Sequence, residues 1–254
     1  MTTTTTNVAV AREPGLLGQT IVVVGGSAGI GLETARLARS EGAEVVITGR
    51  NPERLEQAAR EVSARSSAAF DADDGAAVKR FFDDLSAPID HVLIAAYTRG
   101  SYGPMLDRSP EEVGQGVGRR VTQVLGVARN VAPKMRPGGT LLLTGGSART
   151  FSRESGITPA AFAVLPPCTA SLALELAPVR VNLIQAGFVD TALATSYFAD
   201  ESAVEARRDE LRATLPIGRV VGPADVAALA VHLMINTAVT GATYDIDGGQ
   251  RLIA

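Results

Sequence analysis

The stretch Ile21-Val22-Val23-Val24-Gly25-Gly26-Ser27-Ala28-Gly29-Ile30-Gly31 decides the fold. A run of β-branched residues without polar interruption suits a parallel strand covered on both faces. The glycines after it suit a turn in which a Cβ would block a pyrophosphate approaching the backbone. The helical pattern from Leu32 to Ser40 then follows at once. A helix opening there aims unpaired N–H groups and the positive end of its dipole at an anion. Strand, phosphate turn and helix in this order predict a dinucleotide-binding βα unit.

The glycines are spaced Gly-x-x-x-Gly-x-Gly, at Gly25, Gly29 and Gly31. With Ile47-Thr48-Gly49-Arg50-Asn51, Leu174 to Asn182 and Thr240 to Gly249, this spacing resembles the short-chain dehydrogenase/reductase (SDR) superfamily from about Gly18 to the C-terminus. The resemblance implies an α/β chain with a Rossmann-like, doubly wound parallel sheet of about seven strands flanked by helices. It implies one domain over 15–254, after a flexible tail over 1–14 and with a substrate lid around 192–216. Val24 departs from the family, which usually has Thr before the first glycine.

Composition agrees with that reading. A chain of 254 residues that is 46% hydrophobic can bury a large core. A net charge of −3 offers no basic surface for nucleic acid, and no apolar run approaches membrane-spanning length. The expected partner is a small-molecule substrate, with no nucleic acid or membrane, and the default location is cytoplasmic. The Thr-rich N-terminus has no apolar core of a signal peptide. Cys168 is the one cysteine and lies beside two prolines, which suits packing better than nucleophilic chemistry.

The second strand, Ala43 to Thr48, reaches the place where an adenosine ribose is read. A carboxylate there would favour NAD; Gly49 followed by Arg50 favours NADP(H), because a guanidinium fits a phosphate with paired hydrogen bonds. A solvated surface arginine is the alternative. By resemblance, Asp71-Ala72 meet the adenine, and Ile94-Ala95-Ala96-Tyr97 stands where the family usually carries Asn-Asn-Ala-Gly, with Ala95 and Ala96 as cofactor contacts on a rebuilt floor around the nicotinamide ribose. Ser27, Ala28 and Ile30 join the three glycines as cofactor contacts. Asn51, Thr144 and Gly145 extend the same surface, and Gly187, Phe188, Val189 and Thr191 form a loop like the one that holds the carboxamide and diphosphate. Asp73 and Asp74 are expected to cap the helix Gly75 to Leu85.

The catalytic positions depart furthest. SDR catalysis uses Tyr-x-x-x-Lys, in which a lysine depresses the tyrosine's pKa. Tyr97, Tyr102, Tyr197 and Tyr244 are followed four residues on by Ser101, Leu106, Glu201 and Gly248, and the only lysines are Lys79 and Lys134. Counting back from Glu175 puts Thr158 and Phe162 at the dyad positions. The family's active-site Asn position falls on Arg120, which could hold an anionic group or a nicotinamide carbonyl, or could be an ordinary helix-surface residue. The serine position falls on Gly146, with Ser147 one residue late. Glu154 and Asp190 are candidate acids, and Tyr97 and Tyr197 candidate phenols. Pro159, Pro166 and Pro167 are expected to delay the regular part of the following helix to about Cys168.

Two functions remain open. One is an NADPH-dependent reductase with an atypical active site, acting on a bulky hydrophobic carbonyl, enone or imine/iminium within walls that include Phe151, Phe188, Tyr197 and Phe198. The other is an NADP-binding scaffold, regulatory subunit or cyclase without redox turnover. The resemblance also implies a homo-oligomer, tetramer or dimer, built through the helices after Ser109 and Cys168 and the C-terminal strand.

Overall fold

The computed structural model describes residues 15–85, 88–97, 103–147 and 155–253. The expected N-terminal tail, 1–14, lies outside the described residues, as do Phe151, Glu154 and Tyr102. Seven parallel strands form one sheet in the order β3-β2-β1-β4-β5-β6-β7. They are β1 (Thr20–Val24), β2 (Glu44–Gly49), β3 (Ser66–Ala69), β4 (Ile89–Ile94), β5 (Met135–Gly146), β6 (Arg180–Ala186) and β7 (Thr243–Ile246). Chain order reverses beside β1, so the carboxyl ends of β1 and β4 open a crevice where ligands bind in such sheets.

The central strands are buried on both faces, which is why β1, β2, β4 and β6 read as largely apolar runs, whereas the edge strands β3 and β7 are partly exposed. Val22 and Val24 point into one core layer with Val78, Phe82, Val124 and Leu172. Ile21 and Val23 point into the other, with Ala35, Ala38, Leu55 and Val226. Each such valine, isoleucine, leucine or phenylalanine side chain contributes about 1.5–3 kcal/mol when fully buried. The first layer is covered by α3 (Gly75–Asp84), α4 (Pro110–Val131), α5 (Thr158–Ala163) and α6 (Leu165–Glu175). The second is covered by α1 (Gly29–Ser40), α2 (Pro52–Glu61) and α9 (Pro223–Ile235). Two further helices, α7 (Ala192–Thr195) and α8 (Glu201–Thr214), occupy the expected lid.

Local chemistry sets the element ends. Ser109 and Glu112 form a reciprocal capping box at the start of α4, with Pro110 at its first position. Asp74 caps α3 by accepting from Ala76 and Ala77 N–H. Asp73, expected to share that cap, instead accepts from Gln123 Nε2 at 2.7 Å. The helix α6 begins at Leu165 rather than near Cys168, because Pro166 and Pro167 fall in its first turn, where no N–H is needed. The helix α4 stops at Val131, and a 3₁₀ turn over Ala132–Lys134 joins it to β5.

Several residues that carry the family resemblance hold the frame rather than the site. Arg180 is buried and donates to the carbonyls of Leu233, Met234 and Asn236, closing the C-terminal end of α9. Asn182 exchanges hydrogen bonds with Val239 and Ala242 and fixes the approach to β7.

Candidate functional site

The turn after β1 is shaped by close backbone approach. Gly25 has φ +92°, and a Cβ there would lie 2.5 Å from Ala96 N. At Gly31 a Cβ would lie 2.1 Å from the Gly25 carbonyl oxygen, so α1 can start only this close to the strand with glycine. Ala28 is the N-cap of α1 and supplies no side-chain cap, and the first turn contains no acidic residue. By contrast Asn51, Asp74, Ser109, Thr191 and Asp200 cap their helices with side chains. The N–H groups at the head of α1 therefore lack a side-chain cap acceptor, an arrangement that fits a cofactor diphosphate. Ser27 is buried, and a Cβ on Gly49 would lie 2.7 Å from its hydroxyl, so a larger side chain at the end of β2 would require Ser27 to shift.

Around this cradle the expected cofactor residues keep different degrees of freedom. Arg50 is exposed at the sheet edge, and Asn51 has its Oδ1 committed to Arg54 N–H as the α2 cap. Asp71 is exposed and accepts from Asp73 N–H, while Ala72 is buried. Thr191 caps α7 and lies against Gly29.

A cavity of about 480 Å³ extends from Ile30 at the start of α1 to Tyr197 and Phe198 beside the lid, and falls in the size range of small-molecule sites. It is also lined by Ala95, Tyr97, Arg120, Thr144 to Ser147, Thr158, Phe162, Gly187 to Val189, Thr191 and Arg207. Tyr97, Arg120 and Ser147 thus face one space with the expected cofactor loop. Phe188 and Phe198 meet edge to face at 6.2 Å, so the lid closes on that loop through aromatic contact.

Arg120 is 6% exposed, which excludes a helix-surface role. Its Nη1 donates to the Ala96 carbonyl at 2.9 Å and to Gln123 Oε1, and its Nη2 donates to the Thr144 carbonyl. The guanidinium thereby bridges the carboxyl ends of β4 and β5. Burial pushes its pKa down to about 10, against the opposing pull of Tyr97 and Asp73, so it remains a cation at neutral pH. Its Cζ lies 5.9 Å from the Tyr97 ring centroid.

The family's dyad positions are rebuilt. Phe162 stands where the lysine is expected and stacks on Tyr97 at 5.3 Å. The hydroxyls of Ser147 and Thr158 are buried without hydrogen-bond partners among the described residues. Neither hydroxyl approaches a carboxylic acid or phenol in acidity, so Thr158 cannot copy a catalytic tyrosine. Asp190 does not face substrate as an acid: Arg208 grips its two oxygens at 3.0 and 3.1 Å and ties α8 to the cofactor loop.

Gln250 was not legible as a site residue. It is buried, lines the cavity, and accepts from Phe188 N–H at 2.9 Å. The turn Asp247-Gly248-Gly249 positions it, through Asp247 accepting from Gly249 and Arg251 N–H. Arg207 was also missed, since a charged lid helix gives no signal of which arginine turns inward. No group of three or more metal-ligating side chains occurs among the described residues.

The family model described as enoyl-(acyl carrier protein) reductase matches residues 24–251. The chain belongs to the short-chain dehydrogenase/reductase superfamily, a family of oxidoreductases. It is 30% identical to a putative ketoacyl reductase of Streptomyces coelicolor over 257 residues, covering 90% of this chain and 95% of the relative. A small-chain dehydrogenase solved in complex with NADPH has a TM-score of 0.78 at 26% identity, covering 92% of this chain and 99% of that one. A short chain oxidoreductase of Pseudomonas aeruginosa PAO1, described as containing an atypical catalytic center, has a TM-score of 0.81 at 25% identity, with 91% and 97% covered.

Proposed function

We propose that this protein is an NADP(H)-dependent reductase with an atypical active site, acting on a bulky hydrophobic carbonyl, enone or imine/iminium. The observation that carries this reading is the single cavity shared by the cofactor cradle and the aromatic lid. Bound NADPH supplies a hydride there. The amides of Ser27 to Gly31 and Thr191 hold its diphosphate, Arg50 and Asn51 its 2′-phosphate, and Asp71 and Ala72 its adenine. Ala95, Ala96, Thr144 and Gly145 floor the ribose, and Gly187 to Val189 meet the carboxamide.

The chain's own groups orient the reacting partners. Arg120 fixes the ends of β4 and β5 and offers a cation to the reacting oxygen; Ser147 offers a neutral hydrogen bond; Tyr97 and Glu154 are the proton donors to test. The NADPH complex of one structural relative and the atypical centre of another support the reading. Phe162 at the lysine position favours the second reading, an NADP-binding scaffold or cyclase without redox turnover. NADPH consumption against aromatic ketones, enones and imines, with cofactor binding measured separately, tests the two. Turnover with any class supports the reductase; tight binding without turnover supports the scaffold.

The protein is further proposed to be cytoplasmic and a homodimer or homotetramer. No described helix is long and apolar enough to cross a membrane. Leu125 on α4 and Leu174 on α6 are 46% and 83% exposed, on the two helices expected to form the interface.

A further inference from the structure

The turn after β7 touches both the cofactor loop and the lid. Gln250, 8% exposed, accepts from Phe188 N–H at 2.9 Å. A backbone amide can only donate, so the oxygen of the Gln250 carboxamide is the atom that faces the loop. The loop is also pressed onto the turn: a Cβ at Gly187 would lie 2.6 Å from Gln250 Oε1 and 2.8 Å from Asp247 Cβ.

The turn itself is firmly anchored. Asp247, 2% exposed, accepts from Gly249 N–H at 2.9 Å, from Arg251 N–H at 3.0 Å and from Arg251 Nη1 at 2.8 Å. The same turn packs against the end of the lid, where Ile217 N–H donates to the Gly248 carbonyl at 3.4 Å. A Cβ on Gly249, whose φ is +88°, would lie 2.6 Å from Pro216 Cγ. Phe188 in turn meets Phe198 of the lid edge to face. One side chain, that of Gln250, thus ties the amide of Phe188 to a turn that also supports the lid.

We infer that Gln250 is a positioning residue for the nicotinamide: by holding Phe188 N–H it fixes Gly187 to Val189 in the pose that meets the carboxamide. This rests on the proposed NADP(H) reading and deepens it. Gln250 needs no contact with the reacting atoms, because its effect passes through the loop. Without the acceptor, the Phe188 N–H loses its partner and the loop spreads over other poses. The adenosine half of the cofactor, assigned to Arg50 and the head of α1, does not depend on that pose.

Calorimetric titration of the full chain with NADPH and with 2′-phospho-ADP-ribose, which lacks only the nicotinamide, reads the two halves separately. Gln250→Leu, similar in volume but without an acceptor, should weaken NADPH about 10-fold and leave 2′-phospho-ADP-ribose unchanged. Gln250→Glu, which keeps an oxygen at the same reach, should restore most of the loss. In the cofactor-free chain, hydrogen exchange at Phe188 should be about 10-fold faster in Gln250→Leu, with β1 and α1 unchanged. Equal losses for the two ligands, no loss in Gln250→Leu, no rescue in Gln250→Glu, or exchange that is unchanged at Phe188 or accelerated equally throughout the chain overturns the inference. A wild type that binds neither ligand overturns the NADP(H) reading instead, and exchange at Phe188 then decides whether Gln250 holds the loop.

Discussion

Phe162 occupies the space that a side chain at Gly146 would need: a Cβ on Gly146 would come within 2.7 Å of Phe162 Cε2. The two departures from the family's serine and lysine are therefore one coupled change. Restoring serine alone in Gly146→Ser should overpack the site and cost about 1–3 kcal/mol. Phe162→Ala should relieve most of that cost in the double variant. Urea unfolding of the double-mutant cycle checks it, and additive losses would contradict the coupling.

Arg50 is the residue through which NADPH should be preferred to NADH. Arg50→Ala should weaken NADPH binding by about 1–3 kcal/mol, as for a charged hydrogen bond, and leave NADH nearly unchanged. Equal losses in titrations with both cofactors would sink the assignment.

The β1 to α1 unit was legible because its reasons are local: an apolar strand, glycines where a Cβ would strike backbone, and an uncapped helix start. Strand number and family followed from similar local stretches. The site was legible only in part. Arg120 could be named from its distance along α4, yet its bridge between Ala96 and Thr144 depends on two strands that sequence spacing does not bring together. Phe162 could be counted into the lysine position but not onto Tyr97. Gln250 was hidden because its role comes from a turn placed against the Phe188 loop some 60 residues away.

The fork of Arg208 on Asp190 should position the lid rather than transfer a proton. Asp190→Asn should raise KM more than it lowers kcat and should leave the pH profile of kcat unchanged. A lost acidic limb in kcat would instead restore Asp190 as an acid.

His91 should make the fold sensitive to acid. It is buried, its Nε2 meets Gln19 Oε1 at 2.5 Å, and its Nδ1 has no partner among the described residues. Burial, reinforced by Arg180, lowers its pKa to about 3 from 6.5. Below pH 6.5 the unfolded chain binds this proton and the folded one does not, so stability falls as pH drops toward 3. The slope is about 1.4 kcal/mol per pH unit from this residue. His91→Gln should flatten the fall between pH 6.5 and 5 in urea unfolding; an unchanged slope would show that carboxylates govern it.

Leu125 and Leu174 should lie in the subunit interface. Light scattering of the wild type should give a dimer or tetramer at micromolar concentration, and Leu174→Glu should shift it toward smaller species. A monomeric wild type would rule the interface out.

The most direct measurement is a single turnover with NADPH deuterated at the transferable position of the nicotinamide, offered with aromatic ketones and enones and followed by mass spectrometry of the product. The account predicts one deuterium on the acceptor carbon, with transfer slowed by Arg120→Gln while NADPH stays bound. Bound NADPH that keeps its deuterium against every acceptor would contradict it.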